Sequence, residues 1–93
     1  MKTITVQIGN SDNKLRQVEW ADFVETVKNL IASFAVEIYF FGGSSNWESW
    51  QNACWVFCLN DYDVAKLNAS LTVVRKRYKQ ESLAWTAGQT VFI

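Results

Sequence analysis

The 93-residue sequence predicts an α+β fold of one domain, residues 1–93, with the element order β-α-β-β-α-β. Three observations support this prediction. Four short segments have the apolar content or alternation of strands, two longer stretches have helical spacing, and turn-forming residues lie between them. Hydrophobic residues make up 49% of the chain and charged residues 19%, which is typical of a globular protein and not of a disordered one.

The first strand is predicted over residues 3–8, where apolar and polar residues alternate. A helix is predicted over residues 18–34, because its apolar residues recur at intervals of three and four. Glu19 and Asp22 fall in its first turn, where the helix dipole favours negative charge. The predicted buried face of this helix consists of Trp20, Phe23, Val24, Val27, Leu30, Ile31 and Phe34.

The second strand is predicted over residues 36–41, where simple alternation places Tyr39 and Phe41 on one face and Phe40 on the other. The third strand, residues 52–59, is apolar on both faces, as a central strand covered on both sides would be. A helix is predicted to follow over residues 63–79. Its predicted buried face consists of Val64, Leu67, Leu71, Val74 and Tyr78.

The last segment, residues 82–93, is predicted to form one strand, or two short strands broken near Gly88. Two βαβ halves folded into one antiparallel sheet, with both helices on one face, form the ferredoxin-like arrangement. The right-handed crossover rule permits this topology and removes most alternatives. We therefore expect a ferredoxin-like βαββαβ fold.

The composition excludes several classes of protein. Nine basic and nine acidic side chains cancel, which removes the usual electrostatic reason to expect a nucleic-acid or membrane-surface partner. No apolar run approaches the roughly 20 residues that span a bilayer, and the alternating N-terminus is unlike a signal peptide, so we expect a cytoplasmic protein. Cys54 and Cys58 lie four apart on a strand, roughly 13 Å, which is too far for a disulfide, and we expect two buried free thiols.

The sequence has little that indicates catalysis. It has no histidine, P-loop, GxGxxG pattern, nucleophile elbow or metal-ligand spacing. Asp61 and Asp63 could bind a cation, but they are explained as caps of the second helix. We expect a protein that is not an enzyme and that has neither a metal nor a cofactor.

Surplus aromatic area is the main indication of function. Two helices can cover only one face of the sheet, so Tyr39 and Phe41 are expected on an open face that the C-terminal segment, a second copy of the chain or another partner must cover. Trp47 and Trp50 follow a flexible Gly-Ser stretch, and they either close the end of the core or contact a partner. Trp50 is nearer the strand and is expected to be buried, whereas Trp47 is the expected contact. The predicted partner-binding residues are Trp47, Trp50, Tyr39 and Phe41.

A basic run, Arg75-Lys76-Arg77-Tyr78-Lys79, ends the second predicted helix. It has two interpretations. The cations could bind phosphate or an acidic partner, or they could stabilise the C-terminal end of the helix dipole, which is the interpretation that the zero net charge favours.

Two motifs, residues 50–55 (Trp-Gln-Asn-Ala-Cys-Trp) and residues 80–85 (Gln-Glu-Ser-Leu-Ala-Trp), resemble small uncharacterised proteins of actinobacteria and their phages. The similarity extends to Ile8-Gly9-Asn10-Ser11-Asp12 and over most of the chain. The resemblance implies a phage-borne or prophage-borne protein that acts inside a bacterial host and binds a host protein. It implies no catalytic residue.

The function predicted from the sequence is a non-enzymatic protein-interaction module that binds a host protein and forms a homodimer. One alternative is single-stranded nucleic-acid binding through an open aromatic sheet face, although the strand at residues 53–59 lacks the Lys/Arg-Gly-aromatic pattern of RNA-recognition domains. A second alternative is a small dimeric ligand-binding or enzyme module.

Overall fold

The computed structural model describes residues 1–10, 14–45 and 50–93, and the predicted order of elements is confirmed. The last segment forms one strand of five residues, and residues 89–93 follow it without regular structure. The strands are β1 (Lys2–Gly9), β2 (Glu37–Gly43), β3 (Asn52–Leu59) and β4 (Ala84–Gly88), and the helices are α1 (Gln17–Phe34) and α2 (Val64–Arg77), preceded by a 3-10 turn at Asp61–Asp63.

The four strands form one sheet in the order β2-β3-β1-β4, and every neighbouring pair is antiparallel. The first helix connects β1 to β2 across β3, and the second connects β3 to β4 across β1. This is the ferredoxin-like arrangement, so the predicted fold class is confirmed.

The core lies between the two helices and one face of the sheet. On the central strands Ile4 is paired with Phe57 and Val6 with Trp55, and all four side chains are almost fully buried. The predicted apolar faces of both helices complete this core, which confirms the spacing argument. The helix residues that are buried in it are Trp20, Phe23, Val27, Ile31, Leu67, Leu71 and Val74.

The cysteines alternate along β3 with the aromatic residues, which point to the helices, and so the cysteines lie on the face away from the helices. Cys54 and Cys58 are both free, as predicted, but only Cys58 is buried and Cys54 is half-buried. The Cys58 thiol lies 3.4 Å from the sulfur of Met1, which covers it.

The strand β2 departs from simple alternation because it contains a β-bulge at Tyr39. Ile38 is paired with Phe57, and the next pair is Phe40 with Val56, so Tyr39 is an extra residue in the ladder. The bulge moves every later side chain to the other face, since side chains alternate with a period of two. The predicted face of Phe41 is therefore wrong: Phe41 pairs with Trp55 on the helix side, and Phe40 lies on the open face.

Candidate functional site

The side chains at the centre of the open face of the sheet are small or polar. The two central strands contribute only residues of modest size to it, because the aromatic rings of β3 point to the helices. Aromatic side chains lie on this face only near the β2 edge, within the part of the chain that the structure describes. The central open-face residues are Thr3, Thr5, Gln7, Cys54, Val56 and Cys58.

Phe40 is the most exposed aromatic residue of β2, with 53% of its surface accessible. Its ring lies over Gly42, where a Cβ atom would be 2.6 Å from the Cζ atom of Phe40. A side chain at residue 42 would push the ring off the sheet. The absence of a side chain at Gly42 therefore lets the Phe40 ring lie along the open face.

The C-terminal residues cross one end of the open face. The hydroxyl of Thr90 is 2.5 Å from the hydroxyl of Thr3 on β1, and the ring of Phe92 packs edge-on against Tyr39 on β2 with centroids 6.5 Å apart. Phe92 nevertheless remains 82% exposed. The segment thus covers one end of the face only, and we call the rings of Tyr39, Phe40 and Phe92 the aromatic patch.

The aromatic patch stays uncharged at neutral pH. Hydrogen bonding with the thiol of Cys58 raises the pKa of Tyr39, and desolvation and the negative charge of Glu37 add to the effect. The phenol hydroxyl is therefore protonated. Glu37, at the start of β2, is the one charged residue of that strand.

Phe41 is separated from the aromatic patch by the sheet itself. Its ring stacks on the buried Trp55, with centroids 5.1 Å apart, and the ammonium group of Lys28 lies 5.8 Å from the Phe41 centroid. The structure therefore brings Tyr39 together with Phe92, places Phe40 on the same face, and puts Phe41 on the other face. The Phe40–Gly42 spacing was the only sequence signal that could have indicated Phe40.

Of the two predicted tryptophans, the structure describes only Trp50. Trp50 is 77% exposed immediately before β3, so the prediction that Trp50 is buried at the end of the core is wrong. Its carbonyl oxygen accepts a hydrogen bond from the side chain of Asn52, which lies about 20 Å along β3 from Cys58. Trp47 lies outside the described residues.

Within residues 1–10, 14–45 and 50–93, no group of three or more potential ligands could hold a metal ion. No helix in these ranges is long and apolar enough to cross a membrane.

The fold is shared with part of a larger enzyme. A formyltetrahydrofolate deformylase from Pseudomonas syringae matches 94% of this chain with a TM-score of 0.65 and 18% sequence identity. The chain spans only 28% of the length of that protein, and at this identity the likeness shows the fold alone. No family model matches the chain, and no curated protein matches its sequence.

Proposed function

We propose that the chain is a non-enzymatic protein-interaction module that binds through the aromatic patch. The supporting observation is that three exposed rings lie on the open face along the β2 edge: Tyr39 and Phe92 pack against each other, and Phe40 follows Tyr39 with its ring over Gly42. Aromatic side chains are enriched at protein interfaces because they bring a large apolar area with few rotors.

A second copy of the chain is the first partner in this proposal. The strand β2 is an edge strand, so one row of its backbone N–H and C=O groups faces away from the sheet. Val36 and Ile38 are exposed at the start of this edge, with Ile38 on the helix side, and Glu37 is the only charged residue of β2. Beyond the bulge, Phe40 to Gly43 keep a regular ladder that a symmetric copy could extend into a homodimer.

A host protein is the second partner in this proposal. The motif-level resemblance to small proteins of actinobacteria and their phages supports a cytoplasmic setting inside a bacterial host. The exposed indole of Trp50 offers a contact just before β3, and Trp47 belongs to the same proposed contact by its place in the sequence. Phe41 lies on the edge strand β2 but packs on the helix side, so it is not part of the aromatic patch.

Nucleic-acid binding has less support. The central strands β1 and β3, which are described in full, place neither an aromatic ring nor a cation at the middle of the open face. RNA-recognition domains stack bases on aromatic residues of those two strands. No described observation favours this alternative.

The test compares Phe40→Glu with Val73→Glu in sedimentation velocity runs over a range of concentrations up to about 100 µM, where a micromolar dimer is well populated. Val73 is a matched control, because it is equally exposed but lies on α2, away from the open face. We expect the wild type and Val73→Glu to self-associate and Phe40→Glu to remain monomeric, with unchanged circular dichroism. A monomeric wild type would contradict the homodimer.

The host partner is tested separately by capture from host lysate with the wild type, Trp50→Ala and Val73→Glu. One retained protein, identified by mass and bound again as a pure component, should be lost with Trp50→Ala alone. Equal retention by all three chains, or by none of them, would contradict the proposed contact.

A further inference from the structure

A cavity of about 610 Å³ lies on the helix side of the molecule, between the start of α1 and the end of α2. Its volume falls within the range of about 300–1,000 Å³ that is common for small-molecule sites. Charged and apolar side chains both line it, and none of them belongs to the aromatic patch. The lining residues are Lys14, Leu15, Val18, Glu19, Asp22, Arg77, Tyr78 and Lys79.

Tyr78 forms a fixed wall of this cavity. Its hydroxyl donates a short hydrogen bond to the carboxylate of Asp22 and lies 3.0 Å from the hydroxyl of Thr26, while its ring stacks on Phe23 with centroids 4.8 Å apart. Burial, followed by the hydrogen bond to Asp22, raises the pKa of Tyr78. The Asp22 carboxylate is thus already bound within the protein.

The second acidic group of the cavity is also bound. The carboxylate of Glu19 accepts hydrogen bonds from the backbone N–H and from Nε of Arg16, at 3.0 and 3.1 Å. These bonds close the first turn of α1 and lower the pKa of Glu19, and the positive charge of Lys79 adds to the lowering. The carboxylates of Asp22 and Glu19 thus each have one oxygen engaged within the protein, and a bound anion competes with Glu19 for the positive charge of Lys79.

The basic run at the end of α2 divides into two parts. Nη1 of Arg75 donates to the carbonyl oxygens of Gln80 and Glu81, at 2.8 and 3.0 Å, and so stabilises the end of the helix. Arg77 and Lys79 line the cavity instead, and neither forms an ion pair with a residue that the structure describes. Helix capping accounts for Arg75, whereas Arg77 and Lys79 face the cavity without a direct ion pair among the described residues.

The backbone at Lys79 adds an independent observation. Its φ angle is 58°, the left-handed conformation in which a helix C-terminus normally places glycine. The N–H of Gln80 donates to the carbonyl of Arg75 at 3.0 Å, which completes this type of helix end. A lysine here is less favourable for the backbone than a glycine, which points to a role for its side chain.

We infer that this cavity binds a small organic anion. The anionic group, a carboxylate or a phosphate, pairs with Arg77 and Lys79, since both donate charge-assisted hydrogen bonds to such groups. The apolar body of the ligand packs against Leu15, Val18 and the ring of Tyr78. This site is independent of the protein-interaction proposal, because it lies on the other side of the sheet.

The probe for this site is 8-anilinonaphthalene-1-sulfonate, which joins one anionic group to an apolar ring system and fluoresces in apolar sites. We expect one bound probe per chain. Arg77→Ala and Lys79→Gly should each weaken binding by about tenfold, the usual effect of losing a hydrogen bond to a charged group. Lys76→Ala, the matched control from the same turn of α2, should change affinity by less than about twofold, because Lys76 does not line the cavity.

Lys79→Gly keeps this test independent of folding. Glycine suits the left-handed backbone, so this variant should unfold at a higher temperature than the wild type while it binds the probe more weakly. Decanoate and decyl phosphate should displace the probe, and the stronger of the two identifies the anionic group; inorganic phosphate at the same concentration should not.

Three outcomes would overturn the inference. The first is unchanged probe affinity in both Arg77→Ala and Lys79→Gly, and the second is displacement by neither decanoate nor decyl phosphate. The third is loss of probe binding in Phe40→Glu instead, which would place the probe on the aromatic patch.

Discussion

The side-chain amide of Asn10 donates a hydrogen bond from Nδ2 to Oε1 of Gln51, at 2.8 Å, across a site where Asn10 is only 2% exposed. The same amide exchanges two hydrogen bonds with the backbone of Leu15, and Gln51 in turn donates to Gln17 at the start of α1. One buried side chain therefore joins the end of β1, the entry to α1 and the segment that leads into β3.

Asn10→Ala should lower the free energy of unfolding by about 3 kcal/mol, because it removes the buried hydrogen bonds of the Asn10 amide to Leu15 and Gln51. Urea denaturation would measure the change. Asn29→Ala, at an exposed position of α1, should change stability by less than about 0.5 kcal/mol. Equal effects of the two substitutions would show that the buried amide network contributes little.

Phe41→Ala should lower the free energy of unfolding by about 1–2 kcal/mol, which is less than for a fully buried phenylalanine because the Phe41 ring is half-exposed. The loss follows from its stacking on Trp55. Phe40→Ala should cost half of that or less, since its ring lies on the open face over Gly42. Thermal and urea unfolding of both variants would reveal a reversed order if the two faces of β2 were exchanged.

Gly43→Ala should be strongly destabilising, by about 2 kcal/mol or more, because its Cβ would collide with the carbonyl oxygen of Asn52 and lie 2.8 Å from the Cα of Ala53. Both obstacles are backbone atoms of the neighbouring strand and cannot rotate away. Gly88→Ala is the matched control, because nothing lies within 4 Å of its Cβ position. Similar melting temperatures for the two variants would contradict the close approach of β2 and β3.

The pH dependence of stability should change in Tyr78→Phe. Because the native pKa of Tyr78 is raised above its ordinary value of 10.0, its contribution to stability is fully present below that pH and is lost as the pH rises through the native pKa. The wild type should therefore lose stability more steeply than Tyr78→Phe above about pH 10. Melting curves at successive alkaline pH values would show parallel slopes if the phenol titrated normally.

Much of the fold could be predicted from local pattern. The strand at residues 52–59 has the predicted bounds, and the helix that ends at Phe34 buries the predicted face, because burial against a sheet imposes a spacing of three and four on a helix. The free state of Cys54 and Cys58 followed from the length of a strand segment. The candidate site was harder to predict from the sequence, since alternation predicts the face of a residue only while the ladder is regular.

Sequence by itself thus determined the element types, their order and the helix faces, because each depends on residues near one another in the chain. Tertiary structure alone decided three further features. A single extra residue at Tyr39 exchanged the faces of Phe40 and Phe41, pairing with β1 and β2 brought Thr90 and Phe92 across the open face, and the approach of two helix ends placed Arg77 and Lys79 beside one cavity. Each of these depends on contacts between residues far apart in the chain, which no local spacing encodes.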